Sequence, residues 1–275
     1  MGVQRQLGTT MSVEANYVYT GGRGEESSYN LNRSYNPATG ANYPYSDLSK
    51  RPFPEWGAVY GEFLEGWSNS HGLQMAFTKR LSQRWQASAT YTLSAMWDAA
   101  ALPYQYGLVN GVVSRQKIDF PLAPDLGGEY TLAATDQRHR ATFNGIWDIG
   151  YGVQLSGLYF FGSGERFRTT VGRDNRDAGG ASLDNQRLQR DGTIQPRNAV
   201  AGDPLHRVDL RLQKRLSLGG RRTIDGLFEV FNVFNHENYG SYVTNEANAN
   251  YGQPQFHQSL AYYPRMLQLG FRLAF

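Results

Sequence analysis

Apolar and polar residues take turns along much of this chain. At its C-terminal end Leu267, Leu269, Phe271, Leu273 and Phe275 share one parity, and Met266, Gln268, Gly270, Arg272 and Ala274 share the other. A period of two marks a strand with one apolar and one polar face. The pattern is cleanest where Trp85, Ala87, Ala89, Tyr91, Leu93, Ala95 and Trp97 oppose Gln86, Ser88, Thr90, Thr92, Ser94 and Asp98. The same reading predicts strands over about 11–20, 69–81, 84–97, 138–149, 152–162, 205–218, 222–235 and 265–275. Val3 to Gln6 reads as the tail of one more, as though the chain began inside a sheet. No helical period of useful length occurs.

Between these strands the connections alternate between short and long. Tight turns such as Ser82-Gln83-Arg84, Gly150-Tyr151-Gly152 and Gly219-Gly220 alternate with segments of about 21–68, 98–137, 163–204 and 236–264. The long ones are rich in Gly, Asn, Ser and Pro, which break regular structure; 53–64 leaves room for a short strand. In a meander this alternation puts all turns at one end and all loops at the other, the asymmetry of outer-membrane barrels. Strands of this length suit a tilted crossing of about 9–11 residues. Tryptophan near both ends of the 85–97 row fits two interfacial belts around a hydrocarbon band. The expectation is therefore all-β: an antiparallel up-and-down meander of about eight long strands in an outer membrane. The apolar parity would face lipid, the polar parity the lumen, and Phe275 the periplasm. Two competitors remain. A self-contained eight-stranded barrel, an adhesin or an enzyme, would pair 11–19 with 265–275. A soluble carbohydrate-binding sandwich would bury the Trp85–Trp97 row.

Composition narrows this only a little. The 275 residues include 13% aromatics, 18 Tyr and 31 Gly, and no apolar run approaches the length of a membrane helix. A mean hydropathy of −0.55 does not oppose a barrel, since only alternate residues need be apolar. A net charge of +3, spread along the chain, gives no reason to expect nucleic acid. With no cysteine, disulfides and thiolate chemistry are absent. Residues 1–10 have no basic-then-apolar signal pattern.

Several stretches resemble the barrel of TonB-dependent outer-membrane receptors, most closely the Oar-like members. Glu229-Val-Phe-Asn-Val-Phe-Asn-His-Glu-Asn-Tyr239 resembles the family's penultimate-strand motif. Residues 209–220 and 264–275 are similar to the strands flanking it, while Asp136-Gln-Arg-His-Arg140 and Tyr91-Thr-Leu-Ser94 are similar to recurring upstream pieces. The resemblance implies that residues 1–275 are the C-terminal segment of a barrel of about 22 strands, an open curved sheet when taken alone and without a plug domain. The whole receptor would import a scarce nutrient. Expected partners are outer-membrane lipid, the plug and N-terminal strands of the same receptor, and the barrel-assembly machinery through the strand ending at Phe275. TonB would be met only through parts outside this segment.

No catalytic, cofactor or metal set is expected, and no ligand-binding residues are assigned, because specificity in such receptors would lie in the loops and plug. Asp136, Arg138 and Arg140 would share a strand face opposite His139, as an interfacial polar cluster near headgroups. His71, His206, His236 and His257 lack ligand spacing, although His206 and His236 lie near loop ends that could meet. Asn232 and Asn235 read as caps that bond local backbone where a strand leaves the sheet. Arg211, with Asp225 and Glu229, reads as a structural ladder of opposite charges. Lys79, Arg80 and Arg84, with Lys214, Arg215, Arg221 and Arg222, read as solvated charge around two periplasmic turns, in reach of anionic headgroups. The faces can be separated by substitution. If Leu93 lies near mid-membrane on lipid, Leu93→Arg costs about 2–4 kcal/mol and Thr92→Arg much less, as read by folding titrations in lipid.

Overall fold

A computed structural model describes residues 1–32, 43–44, 46–99, 106–109, 112–115, 130–173, 197–198, 200–255 and 263–275. Parts of the four expected long loops, His257 among them, lie outside the described residues. The strands are β1 (Gly2–Leu7), β2 (Met11–Asn30), β3 (Tyr60–Ser82), β4 (Trp85–Asp98), β5 (Tyr106–Val109), β6 (Val112–Arg115) and β7 (Thr131–Leu132). Then come β8 (His139–Gly150), β9 (Val153–Gly162), β10 (Arg166–Phe167), β11 (Val200–Ala201), β12 (Leu205–Gly219), β13 (Arg222–Phe231) and β14 (Met266–Ala274). Among the described residues a single 3-10 turn, Leu48–Lys50, interrupts the all-β pattern.

One antiparallel sheet holds the molecule together, in the order β1-β2-β3-β4-β8-β9-β12-β13-β14, with β7 paired beside the end of β4. The two ribbons β5-β6 and β10-β11 stand apart from it. Each long strand pairs with its sequence neighbour among the long strands, which makes an up-and-down meander. The register keeps the apolar parity together across the whole width. One rung runs Val13–Phe77–Ala89–Phe143–Tyr159–Val208, and another joins Leu212, Phe228 and Leu269. A slip of one residue at any step would send a strand's apolar set to the other face.

Several boundaries differ from those read in the sequence. The tail at Val3 to Gln6 is a full strand in register with β2, so the meander has nine long strands rather than eight. The hairpin β2-β3 runs to Asn30 and back from Tyr60, through segments expected to be loop. Its far portion pairs through backbone, with irregularities at Arg23/Glu25 and Glu25/Ser27. A strand in water needs no apolar alternation, so that part carried no periodic signal. At β13 the opposite happened: the strand stops at Phe231 instead of 235, because Asn232 takes a left-handed backbone with φ 51.

The sheet stays open. β2 is paired on both sides by β1 and β3, while β14 pairs with β13 alone among the described residues. This removes the self-contained eight-stranded barrel, which needed a β2–β14 seam. The sandwich fails as well, since Trp85 remains exposed and the buried hydrophobic positions among the described residues are Ala87, Ala95, Ala99, Ala133, Val171 and Leu205, four of the six being alanine. The accessible surface of 16984 Å² exceeds the roughly 12,000 Å² of a compact monomer of this mass.

Tight turns close the short ends. Gln83 and Arg84 (φ 50 and 71) join β3 to β4, and Tyr151 and Gly152 (φ 53 and 73) join β8 to β9, the pair of positive values that matches hairpin twist. At Gly152 a Cβ would also run into the Arg215 carbonyl oxygen, whereas at Gly220 (φ 61) it would meet nothing. Gly220→Ala is expected to cost about 1–2 kcal/mol from backbone strain alone, and Gly152→Ala about 2–4 kcal/mol. Urea titrations of the two variants in the same lipid or detergent check the order.

Candidate functional site

The polar face carries paired charge near the turn end of β12-β13-β14. Arg215 grips Asp225 with two bonds of 2.7 and 2.8 Å, and Arg211 donates to Glu229 at 2.8 Å. The expected ladder therefore exists with one change: Asp225 belongs to Arg215, its register partner, and not to Arg211. Arg272 stands opposite Asp225 from β14, and Arg84 lies 3.7 Å from Asp148 on the same side. Asp225 and Glu229 each face an arginine on their own rung, so the charges on this face stand in register.

At the loop end, polar side chains fill the places that apolar ones take in a compact domain. Asn32, Asn232, Asn238, Thr169 and Asp98 are the largest fully buried side chains. Asn232 accepts from His236 N at 3.0 Å and donates to the carbonyls of His236 and Tyr263 at 2.9 and 3.2 Å. Asn235, also left-handed at φ 52, accepts from Arg265 N. Asn232 does the local capping expected of it, whereas Asn235 bonds backbone 30 residues on, and together they tie the end of β13 to the start of β14. Asn238 adds the link to β12 by exchanging bonds with His206 backbone.

Asp136 departs from its expected place. It lies before β8 rather than in it, is 3% exposed, and accepts from Met96 N at 2.9 Å while Arg166 and Arg138 approach its other oxygen at 3.2 and 3.6 Å. The preceding turn, held by Asp136 N to Ala133 O, keeps it off the strand face. It anchors the loop base rather than meeting headgroups. A second anchor, unforeseen, is the buried pair of Asp98 and Arg197; partners 99 residues apart leave no local sequence signal. Beyond them Tyr242 bonds Asp203 at 2.7 and 2.9 Å. Burial pushes this phenol above its usual value, with the Asp203 carboxylate adding to the rise.

Three histidines are spoken for by tyrosine. The hydroxyls of Tyr17, Tyr91 and Tyr159 lie 2.6, 2.7 and 3.1 Å from Nδ1 of His71, His139 and His206. His206 and His236 do come together, ring centres 5.1 Å apart. Among the described residues no group of three His, Cys, Asp or Glu is placed to hold a metal. Lys79 overturns the reading of solvated turn charge. It is 5% exposed, its ammonium 3.8 Å above the Trp85 ring and within 3.0 Å of the Ser82 and Trp85 carbonyls. Lys214 is likewise turned onto a turn carbonyl, that of Tyr151, at 2.7 Å.

An open single-layer sheet, apolar on one face, charged in register on the other, with turns and loops segregated by end, is the wall of a membrane β-barrel. The family of the outer membrane beta barrel domain matches residues 1–196 and 189–268, and the chain belongs to it; it is an outer-membrane barrel protein. Among solved structures it is similar to the outer membrane transporter YddB from Escherichia coli, with a TM-score of 0.52 and 11% identity, over 99% of this chain and 31% of that one. That likeness is one of fold, and the chain spans about a third of the transporter's length. No curated protein matches.

The two asparagines separate capping from burial. Asn232→Ala removes three part-buried bonds to backbone at a left-handed residue and is expected to cost about 2–4 kcal/mol. Asn235→Ala, exposed and with one bond, should cost about 1 kcal/mol. Thermal unfolding of both variants tests the order.

Proposed function

We propose that this chain forms the C-terminal part of the wall, with the extracellular loops, of an Oar-like TonB-dependent receptor that takes up a nutrient across the outer membrane. The observation that carries the reading is the nine-strand meander whose outer strands β1 and β14 each pair on one side alone among the described residues, with the apolar parity sharing one face. Such a sheet leaves backbone donors and acceptors bare at β1 and β14, which hydrocarbon does not tolerate. Further strands of the same receptor would pair there. The likeness to about a third of a transporter supports the same scale, and the motif at 229–239 supports the branch.

On this reading the chain is not an enzyme and has no cofactor. The polar face, with Arg211, Arg215 and Arg272 matched to acids, lines the lumen against a plug supplied elsewhere in the receptor. TonB acts through that plug, and β14 is the strand offered to the assembly machinery. The loops point outward, which puts the turns and Phe275 on the periplasmic side.

Topology and energy coupling are tested separately. An epitope inserted at Gly252, an exposed loop position, should be labelled on intact cells, and one at Gly220 only after permeabilisation; the reverse would overturn the orientation. Uptake of the nutrient should vanish in cells lacking TonB while surface binding persists. Uptake that survives loss of TonB would remove the receptor class.

A further inference from the structure

The three tyrosine–histidine pairs are arranged alike, all on the apolar face. In each, the tyrosine is on the neighbouring strand and one same-face position nearer the turns. His71 is opposite Tyr19 and bonds Tyr17, His139 is opposite Leu93 and bonds Tyr91, and His206 is opposite Phe161 and bonds Tyr159. The pairs do not stay level on the rungs. His71 shares a rung with Ala95 of β4, whereas His139 shares one with Leu93, two residues nearer the turns after two strand steps. His139 bonds Ser163 across from it, while His206 is opposite Phe161, again two residues in two steps. One residue of about 3.4 Å per step of about 4.8 Å is a line inclined by about 35° to the rungs.

A second line runs near the turns. The rung of Lys79 passes through Ala87, Gly145, Gly157 and Leu210. Trp147 lies two residues nearer the turns than Gly145 after two steps, and Lys214 four nearer than Leu210 after four, which is the same slope. The lines are eight residues apart on β3 (71 to 79), on β8 (139 to 147) and on β12 (206 to 214). Eight residues are about 27 Å along a strand, or about 22 Å measured across two lines inclined at 35°. On these strands the same face carries only Leu73, Met75 and Phe77, then Ala141, Phe143 and Gly145, then Val208, Leu210 and Leu212 between the lines.

We infer that the two lines are the headgroup boundaries of the bilayer, the tyrosine–histidine pairs meeting one leaflet at the loop end and Lys79, Trp147 and Lys214 the other. This rests on the reading of the sheet as a membrane wall and adds its depth and inclination. The slope equals the tilt of barrel strands, about 35–45°, and the spacing approaches their apolar band of about 25 Å. The side chains suit the place: tyrosine, tryptophan and histidine have an apolar body with a polar tip, and lysine buries its stem while its ammonium finds oxygen. In Lys79 and Lys214 that oxygen is a carbonyl of the turn. On this line Leu93 lies within one residue of the loop-side boundary, and Ala89 takes its expected place near the middle of the band.

These 275 residues contain no cysteine, so a single spin label can be placed on the sheet in bilayers without a competing thiol in this segment. Labels at Met75, Phe143 and Leu210, each four residues from its histidine, should report one common, maximal depth by oxygen against nickel-chelate accessibility. If the membrane plane followed the rungs, Ala141 would match Met75, and Leu210 would be shallower by about 13 Å; that result overturns the inference and leaves the wall intact. Labels that meet no lipid at any of these positions would overturn the membrane reading itself. As a second measurement, Ala89→Arg should shift the folding equilibrium in lipid by about tenfold or more beyond Leu93→Arg, and equal shifts would count against the boundaries.

Discussion

Backbone pairing is the constraint from which the rest of this molecule follows. In hydrocarbon an unpaired amide costs several kcal/mol, so strands there are held edge to edge whatever their side chains do. The side chains then decide which face is which. From β2 to β14 the registers bring apolar residue to apolar residue for the full width of the sheet. Cohesion comes from the ladder and from rung-wise contact, and the usual interior is missing. That is why the buried apolar set is so small and why Leu269 and Phe271 on β14 are each 80% exposed.

What replaces an interior is found at the loop end. Asn232 and Asn238 bond backbone of the neighbouring segment, Asp136 reaches Met96 N, and Asp98 meets Arg197. Buried polar groups demand partners, so each of these contacts sets a loop base at one position over the sheet. The turn end is simpler, with two- or three-residue connections and lysines folded onto carbonyls. The two ends of the wall are thus built by different means, compact turns at one and buried polar anchors at the other.

This difference explains which features were legible in the sequence. Strands inside the apolar band announce themselves by alternation, as 84–97 does for β4 and 205–218 for β12. Outside the band alternation has no cause, and the outer halves of β2 and β3 read as loop. Asn232 was readable as a cap because its exchange with His236 is close in sequence, whereas the Asn235 bond to Arg265 N spans 30 residues, and the early stop of β13 was hidden because a left-handed residue leaves no mark in polarity. Asp98–Arg197 and the tyrosine–histidine pairs depend on which strands become neighbours. The positions of His71, His139 and His206 look unrelated along the chain; only register puts them on one line.

The hairpin β2-β3 extends well past that line. From Tyr60 to His71, β3 climbs eleven residues, a rise of about 30 Å along the barrel axis at the inferred tilt. A headgroup layer is only about 5–7 Å deep on each side. Most of this arm therefore stands clear of lipid like a mast above a deck, stiffened by its own ladder. A large body drifting toward that surface collides with the mast before it can touch the wall, which makes the arm's length a setting of how close such bodies come.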